Sequence, residues 1–262
     1  MTQLFKIQRR TGTGDLAAIR TDVRESSRTL LVLGGLLADQ LAADGGRSAA
    51  IEQVATAAGW DVVRFNYSAH GASTGTRSAG KFAEVSVSAL IEDAITVATY
   101  FGDKSLAIIA SSVGAGILPF VASRIQGFGT KMLGVCGISA VPPVALRSFV
   151  LEQVKRNGLE DDFQRGVSVL IRSDTLPEPI VVHKDQLSDI GRFGARPLVR
   201  KEQYGKVSLM RGADDRLSSQ EYNRQLVIDL GGETTSVVDL DCGHNIPIES
   251  MSPIVALWLE RL

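Results

Sequence analysis

The sequence predicts an α/β fold in which a mostly parallel central sheet carries helices on both faces. Short, almost wholly apolar runs alternate with amphipathic stretches along most of the 262 residues. Continuous apolar runs of this kind are typical of parallel strands that are buried on both sides. Hydrophobic residues make up 44% and charged residues 22%, which is the balance of a globular protein of one or two domains.

The strands are predicted from apolar content and from the turn residues that bound them. Residues 4–9 and 16–23 are joined by a Thr-Gly-Thr-Gly turn, which predicts an N-terminal hairpin. The run 29–33 ends at a Gly-Gly pair, and the run 61–65 ends at a loop rich in turn residues. The remaining predicted strands are 106–110, 131–136, 207–210 and 236–240.

The helices are predicted from apolar residues at a spacing of three and four. Residues 48–58 and 83–101 have this spacing, and each stretch is followed by a glycine that ends a helix. Further helices are predicted at 113–124, 219–230 and 251–262. Right-handed crossovers between parallel strands place the carboxyl ends of the strands along one edge, where ligands usually bind.

Residues 142–203 interrupt this alternation. They contain ten Lys or Arg, nine Asp or Glu and five prolines, with little clean periodicity. An unstructured loop of this length is unusual inside a compact domain. We therefore expect a core formed by 1–141 and 204–262 and a small, mostly helical cap or lid insertion formed by 142–203. The alternative is a surface excursion without a role. The apolar residues of the segment 142–203 either line a substrate pocket or form a core within the segment itself; they are Leu146, Phe149, Val150, Leu151, Val169 and Leu170.

Charge and cysteine usage argue against several classes of protein. The 28 Lys and Arg against 29 Asp and Glu, without a basic run, argue against a nucleic-acid partner. No apolar run approaches the roughly 20 residues of a membrane span, and no hydrophobic stretch follows the polar first 14 residues, so we expect a cytoplasmic protein. Cys136 and Cys242 are far apart, which argues against a disulfide scaffold or a cysteine-based zinc site.

The run 106–116 is the most informative part of the chain. An apolar strand leads into Ala-Ser-Ser-Val-Gly, and a helix follows directly, which is the context of a nucleophile elbow. Such a turn needs small residues two positions before and after the serine, and Ala110 and Gly114 satisfy this around Ser112. If Ser111 stood at the apex, two bulky residues would take those positions. Ser112 is therefore the candidate nucleophile.

A serine nucleophile needs a base, and the base needs an anionic partner. Of the three histidines, His244 follows the last predicted strand through a glycine turn, which brings it to the edge where Ser112 lies. The strand 207–210 ends in Arg-Gly-Ala-Asp-Asp, so Asp214 or Asp215 reaches that edge too. Each motif alone occurs often by chance, but the order of serine, acid and histidine is the one expected for this fold.

These motifs resemble those of α/β-hydrolase fold serine hydrolases over nearly the whole chain. Residues 64–73 (RFNYSAHGAS) are similar to the family's Arg-x-Asp-x-x-Gly-x-Gly-x-Ser signature, and 241–244 are similar to its Gly-His turn. Residues 211–217 resemble the His-Gly-x-x-Asp-x-Val motif, whose spacing implies Asp215 as the acid. The Ser-Ser elbow looks most like that of small single-domain esterases and thioesterases of the depalmitoylating type.

The resemblance also implies an oxyanion hole formed by the backbone N–H groups of Val113 and Leu36. Residues 34–36 stand in for the family's His-Gly-x, and a plain tight turn at Gly34 and Gly35 is the alternative. Asn66 and Ala69 replace the common Asp and Gly of the signature. His70 matches a position that supports the loop, and His183 is interpreted as a surface residue.

The expected activity is hydrolysis of an ester or thioester of a small to medium acyl group through an acyl-serine intermediate. This chemistry implies a small-molecule acyl substrate and no metal or organic cofactor. Lactonase, peptidase and carbon–carbon hydrolase activities share the same residues, and a non-catalytic protein that binds a small ligand is the alternative outside enzymes. The sequence leaves the substrate-binding residues unknown and a homodimer open.

Overall fold

The computed structural model describes residues 1–11, 14–36, 38–42, 46–71, 78, 85–102, 105–172, 179–193, 204–233 and 236–262. The strands are β1 (Thr2–Gln8), β2 (Asp15–Thr21), β3 (Thr29–Leu33), β4 (Asp61–Phe65), β5 (Ser105–Ser111), β6 (Lys131–Ile138), β7 (Val169–Ile171), β8 (Ile180–Val182), β9 (Lys206–Gly212) and β10 (Val237–Leu240). The helices are α1 (Arg47–Ala57), α2 (Val87–Phe101), α3 (Val113–Gly116), α4 (Leu118–Gln126), α5 (Pro143–Arg156), α6 (Glu160–Gln164), α7 (Gln220–Asp229) and α8 (Ile248–Glu260).

An eight-stranded sheet forms the centre of the described structure, in the order β1-β2-β4-β3-β5-β6-β9-β10. The hairpin strands β1 and β2 are antiparallel, and β2 also pairs antiparallel with β4. All other neighbours pair in parallel. The predicted mostly parallel sheet with an N-terminal hairpin is thus confirmed.

Helices cover both faces of the sheet because side chains alternate along each buried strand. In β3, Leu31 and Leu33 belong to the apolar cluster that includes residues of α2, α4 and α7, whereas Leu30 and Val32 belong to the cluster that includes residues of α1 and α8. The chain therefore builds two apolar layers, one on each face, as the apolar strands predicted.

Element boundaries differ from the predictions where local signals compete. The helix predicted at 83–101 begins at Val87, where the Ser86 hydroxyl accepts the N–H of Ala89 at 3.2 Å; residues 83 and 84 lie outside the described part. The helix predicted at 113–124 is two helices, α3 and α4. Pro119 lies in the first turn of α4, where its missing N–H costs nothing and favours a new start.

The described part of the segment 142–203 contains the helices α5 and α6, two short 3₁₀ turns, and an antiparallel pair formed by β7 and β8 that the sequence did not predict. Val150 and Val169 are buried in the same apolar cluster as the sheet strands, whereas Leu170 is exposed. The side chain of Leu146 lies outside the described part. That this segment acts as a lid remains a prediction.

None of the helices in the described ranges is both long enough and apolar enough to cross a membrane.

Candidate active site

Ser112 lies in the turn that joins β5 to α3, at the carboxyl edge of the sheet. Its backbone has φ 54° and ψ −123°, a conformation that is uncommon for a residue with a side chain. The turn is held by hydrogen bonds from the N–H of Ser112 to the Ile138 carbonyl at 2.9 Å and from the N–H of Val141 to the Ser112 carbonyl at 3.0 Å. The serine side chain is thus presented at the strand end by a strained but well-supported backbone.

Small residues around Ser112 let α3 pass close to the end of β3. A Cβ atom at Gly114 would overlap the carbonyl oxygen of Gly34, and one at Gly35 would lie 3.1 Å from the Ser112 Cβ. Ala110, two residues before the serine, is buried. The requirement for glycine at positions 114 and 35 therefore comes from the close approach of the serine turn and α3 to the turn after β3.

Replacing Gly114 with alanine should lower the free energy of unfolding by about 1–3 kcal/mol, the usual cost of overpacking against backbone. Gly243→Ala is a matched control, because a Cβ there meets no atom within 4 Å. We expect the control to change stability by less than about 0.5 kcal/mol. Urea unfolding of both variants measures the difference, and equal stabilities would contradict the packing argument.

Three strand ends bring Ser112, His244 and Asp215 together. His244 Nε2 lies 3.2 Å from Ser112 Oγ, and His244 Nδ1 lies 2.7 Å from Asp215 Oδ2. The loop that carries His244 is supported by Ser139, whose hydroxyl donates to the His244 carbonyl at 3.1 Å. An Nδ1–H directed at a carboxylate leaves Nε2 as the acceptor that faces the serine hydroxyl.

Of the two aspartates after β9, Asp215 is the one that faces the histidine. Its side chain has no solvent exposure, and Oδ1 accepts the N–H groups of Leu217 at 2.9 Å and Ser218 at 3.2 Å. Asp214, in contrast, is exposed. The backbone hydrogen bonds hold the carboxylate so that its second oxygen points at His244.

The candidate oxyanion groups lie beside the serine. Val113 is the first residue of α3, where a backbone N–H has no acceptor within the helix. Gly35 and Leu36 line the same cavity as Ser112. The assignment of the Val113 and Leu36 N–H groups to an oxyanion hole stays a prediction.

Asn66 and Arg64 hold the loop that follows the Gly34–Gly35 turn. The Asn66 Oδ1 accepts the N–H of Gln40 at 2.7 Å, and its Nδ2 donates to Asp39 Oδ1 at 2.8 Å. Arg64 Nη1 donates to the Gln40 carbonyl at 2.7 Å. An amide both donates and accepts here, which a carboxylate could not do, so the departure from the family signature has a structural reason.

The other two histidines lie in structural settings. His70 is buried, and its Nδ1 lies 2.7 Å from the Ser68 carbonyl. His183 Nε2 bonds to the Gly166 carbonyl at 2.7 Å, and its Nδ1 accepts the N–H of Asp185 at 3.2 Å, which caps a 3₁₀ turn. Neither lines the cavity at Ser112.

A cavity of about 760 Å³ opens at Ser112 and His244. Its wall includes apolar side chains from α5, α8 and nearby loops: Leu36, Phe149, Leu217, Ile246 and Ile248. It also includes Arg47, at the start of α1, which the sequence did not single out because a basic residue near a helix start has no distinctive spacing. Burial lowers the pKa of Arg47, and the nearby Asp215 carboxylate opposes this effect.

Comparison with family models gives no match, and comparison with curated proteins gives none either. Solved structures match over almost the whole chain. A protein from Agrobacterium vitis S4 assigned as a hydrolase is 20% identical, with a TM-score of 0.76 and coverage of 99% of this chain and 98% of its own. Alpha/beta hydrolase domain-containing protein 10 from mouse is 14% identical, with a TM-score of 0.72 and 98% coverage of both chains.

Est1E from Butyrivibrio proteoclasticus, solved with ferulic acid bound, is also 14% identical, with a TM-score of 0.68 and 98% coverage of both chains. At these identities the likeness concerns the fold. The chain has the α/β-hydrolase fold, as its sequence motifs predicted.

Proposed function

We propose that this protein is a serine hydrolase that cleaves an ester or thioester of a small to medium acyl group through an acyl-serine intermediate. The observation that carries the proposal is the position of His244, with Nε2 at 3.2 Å from Ser112 Oγ and Nδ1 at 2.7 Å from the buried Asp215 carboxylate. In this arrangement Ser112 is the nucleophile, His244 the general base, and Asp215 the group that orients the imidazole and stabilises its cation.

The mechanism is acyl transfer in two steps. His244 Nε2 takes the proton of the Ser112 hydroxyl as Oγ attacks the substrate carbonyl, and the N–H groups of Val113 and Leu36 stabilise the oxyanion. As the tetrahedral intermediate collapses, His244 returns the proton to the leaving alcohol or thiol. A water molecule then gives a proton to His244 and attacks the acyl-serine, which releases the acid and restores the Ser112 hydroxyl.

The cavity supports a substrate of modest size. A volume of about 760 Å³ lies within the usual range for pockets that bind small molecules. Phe149, from the segment 142–203, contributes to its wall, which supports the role of that segment as a cap. The fold shared with Est1E, to which ferulic acid binds, is compatible with a small organic acid or its ester as ligand.

Labelling with a fluorophosphonate tests this proposal. A fluorophosphonate reacts with an activated serine and leaves one adduct that intact-protein mass spectrometry detects. We expect a single adduct on the native protein, mapped to the peptide that contains Ser112, and none on Ser112→Ala or on heat-denatured protein. If the folded native protein stays unlabelled, or if Ser112→Ala is labelled to the same extent, the catalytic proposal fails and a protein that only binds a small ligand takes its place.

A further inference from the structure

Arg47 contributes a positive charge to the cavity at Ser112 and His244. Its Nη2 lies 3.4 Å from Asn245 Oδ1, a neutral partner, and no carboxylate of the described residues lies within ion-pair distance of it. The guanidinium is therefore held at the site by a weak neutral contact, although arginines elsewhere in the fold, such as Arg64 and Arg211, pair with carboxylates.

The described surroundings of Arg47 remove water from the guanidinium but place no carboxylate within ion-pair distance of it. Burial lowers the pKa of its guanidinium, whereas the Asp215 carboxylate acts in the opposite direction. Asp215 itself is directed at His244 and at two backbone N–H groups. A desolvated charge without a close counterion is unfavourable, so a ligand that supplies one gains a strong charge-assisted interaction.

Among the described residues that line the cavity, Asp39 is the acidic one, and its carboxylate is already engaged. Asp39 Oδ1 accepts the N–H of Leu41 at 3.0 Å and the Nδ2 of Asn66 at 2.8 Å, so it serves the loop. Arg47 is also the first residue of α1, and the residue that precedes it, Gly46, has no side chain to cap the helix. The positive end of the helix therefore adds to the charge of Arg47 on this wall.

We propose that the substrate carries a carboxylate in addition to its scissile ester or thioester, and that Arg47 binds this carboxylate. The inference rests on the proposed function, because it names the class of substrate for the same site. A single guanidinium balances one negative charge and can hold both carboxylate oxygens. The nearby Asp39 and Asp215 disfavour a doubly charged group such as a phosphate monoester.

Matched ester pairs test the proposal. On the acyl side, p-nitrophenyl hexanoate is compared with the mono-p-nitrophenyl ester of adipic acid; on the alcohol side, phenyl acetate is compared with 4-acetoxybenzoate. We expect Arg47→Gln to lower kcat/KM for the carboxylate member of one pair by about 10- to 100-fold more than for its neutral member, mainly through KM. Arg47→Lys should restore part of the loss, since it keeps the charge but not the planar fork.

Arg24→Gln is the matched control, because the Arg24 side chain is 94% exposed and lies outside the cavity wall. Its kinetics should equal those of the unmodified protein for all four esters. Equal losses in Arg47→Gln on charged and neutral esters, or no loss on either carboxylate ester, would overturn the proposal.

A second readout separates this proposal from the proposed function. Titration of adipate monomethyl ester into Ser112→Ala, followed by calorimetry, measures carboxylate binding without turnover. We expect binding that Arg47→Gln in the same background weakens by at least tenfold. If no ester is hydrolysed and no fluorophosphonate adduct forms, the hydrolase proposal fails, but the binding comparison still tests the role of Arg47. Equal binding of the ligand by Ser112→Ala and by the double variant would contradict the proposed role of Arg47.

Discussion

Replacing Ser112 with alanine is expected to lower kcat for ester hydrolysis by on the order of 10⁶-fold, because it removes the oxygen atom that we propose forms the acyl-enzyme bond. The variant should fold normally. Alanine tolerates the backbone angles of this turn about as well as serine does, and the turn is held by backbone hydrogen bonds that the substitution leaves in place. Turnover of a p-nitrophenyl ester, with thermal unfolding to verify the fold, measures the effect.

Ser111 provides the comparison because it is the adjacent serine and carries the same hydroxyl. It is the last residue of β5, paired with Ile138 of β6, and His244 Nε2 reaches Ser112 Oγ instead. Ser111→Ala should therefore retain activity within about tenfold of the unmodified protein. Loss of activity in Ser111→Ala with activity retained in Ser112→Ala would reverse the assignment.

The parts of the fold that the sequence predicts well are those encoded by short stretches of chain. The strand from 29 to 33 and the strand from 61 to 65 have the predicted bounds, because each is a buried apolar run that ends at turn residues. The break between α3 and α4 was missed, since both helices are apolar and only Pro119 marks the new start. The short strands β7 and β8 were missed because three residues are too few for a periodic pattern.

The same distinction applies to the site. The sequence indicated Ser112, His244 and one of the two aspartates because each lies in the turn after a predicted strand, and parallel strands end at one edge. The resemblance to the family's acid motif then selected Asp215. The roles of Asn66 and Arg47 could not be assigned from the sequence. Asn66 contacts Gln40, which lies 26 residues away along the chain, and Arg47 contacts Asn245, which lies 198 residues away. Long-range contacts of this kind leave no signal in local composition.

Asp215→Asn is expected to lower kcat by about 10⁴-fold while the fold is retained. The asparagine side chain is nearly isosteric, and its carbonyl oxygen can accept the N–H groups of Leu217 and Ser218 as Oδ1 does now. Its NH₂ group would then face His244 Nδ1, which would have to become an acceptor. The proton of the imidazole would move to Nε2, and the ring could no longer take the proton of Ser112.

Asp214→Asn tests whether the loss of kcat in Asp215→Asn comes from the hydrogen bond between Asp215 and His244 or merely from the loss of a negative charge near the site. Asp214 is exposed, and its backbone N–H, which donates to the Cys242 carbonyl at 3.1 Å, is unaffected by the substitution. Its kcat should change by less than about threefold. If Asp214→Asn and Asp215→Asn lost activity equally, general electrostatics would explain the loss better than a fixed tautomer. Asp215, not Asp214, makes the 2.7 Å hydrogen bond with His244 Nδ1 that fixes the tautomer. We therefore expect a large difference in kcat between the substitutions of these two adjacent aspartates.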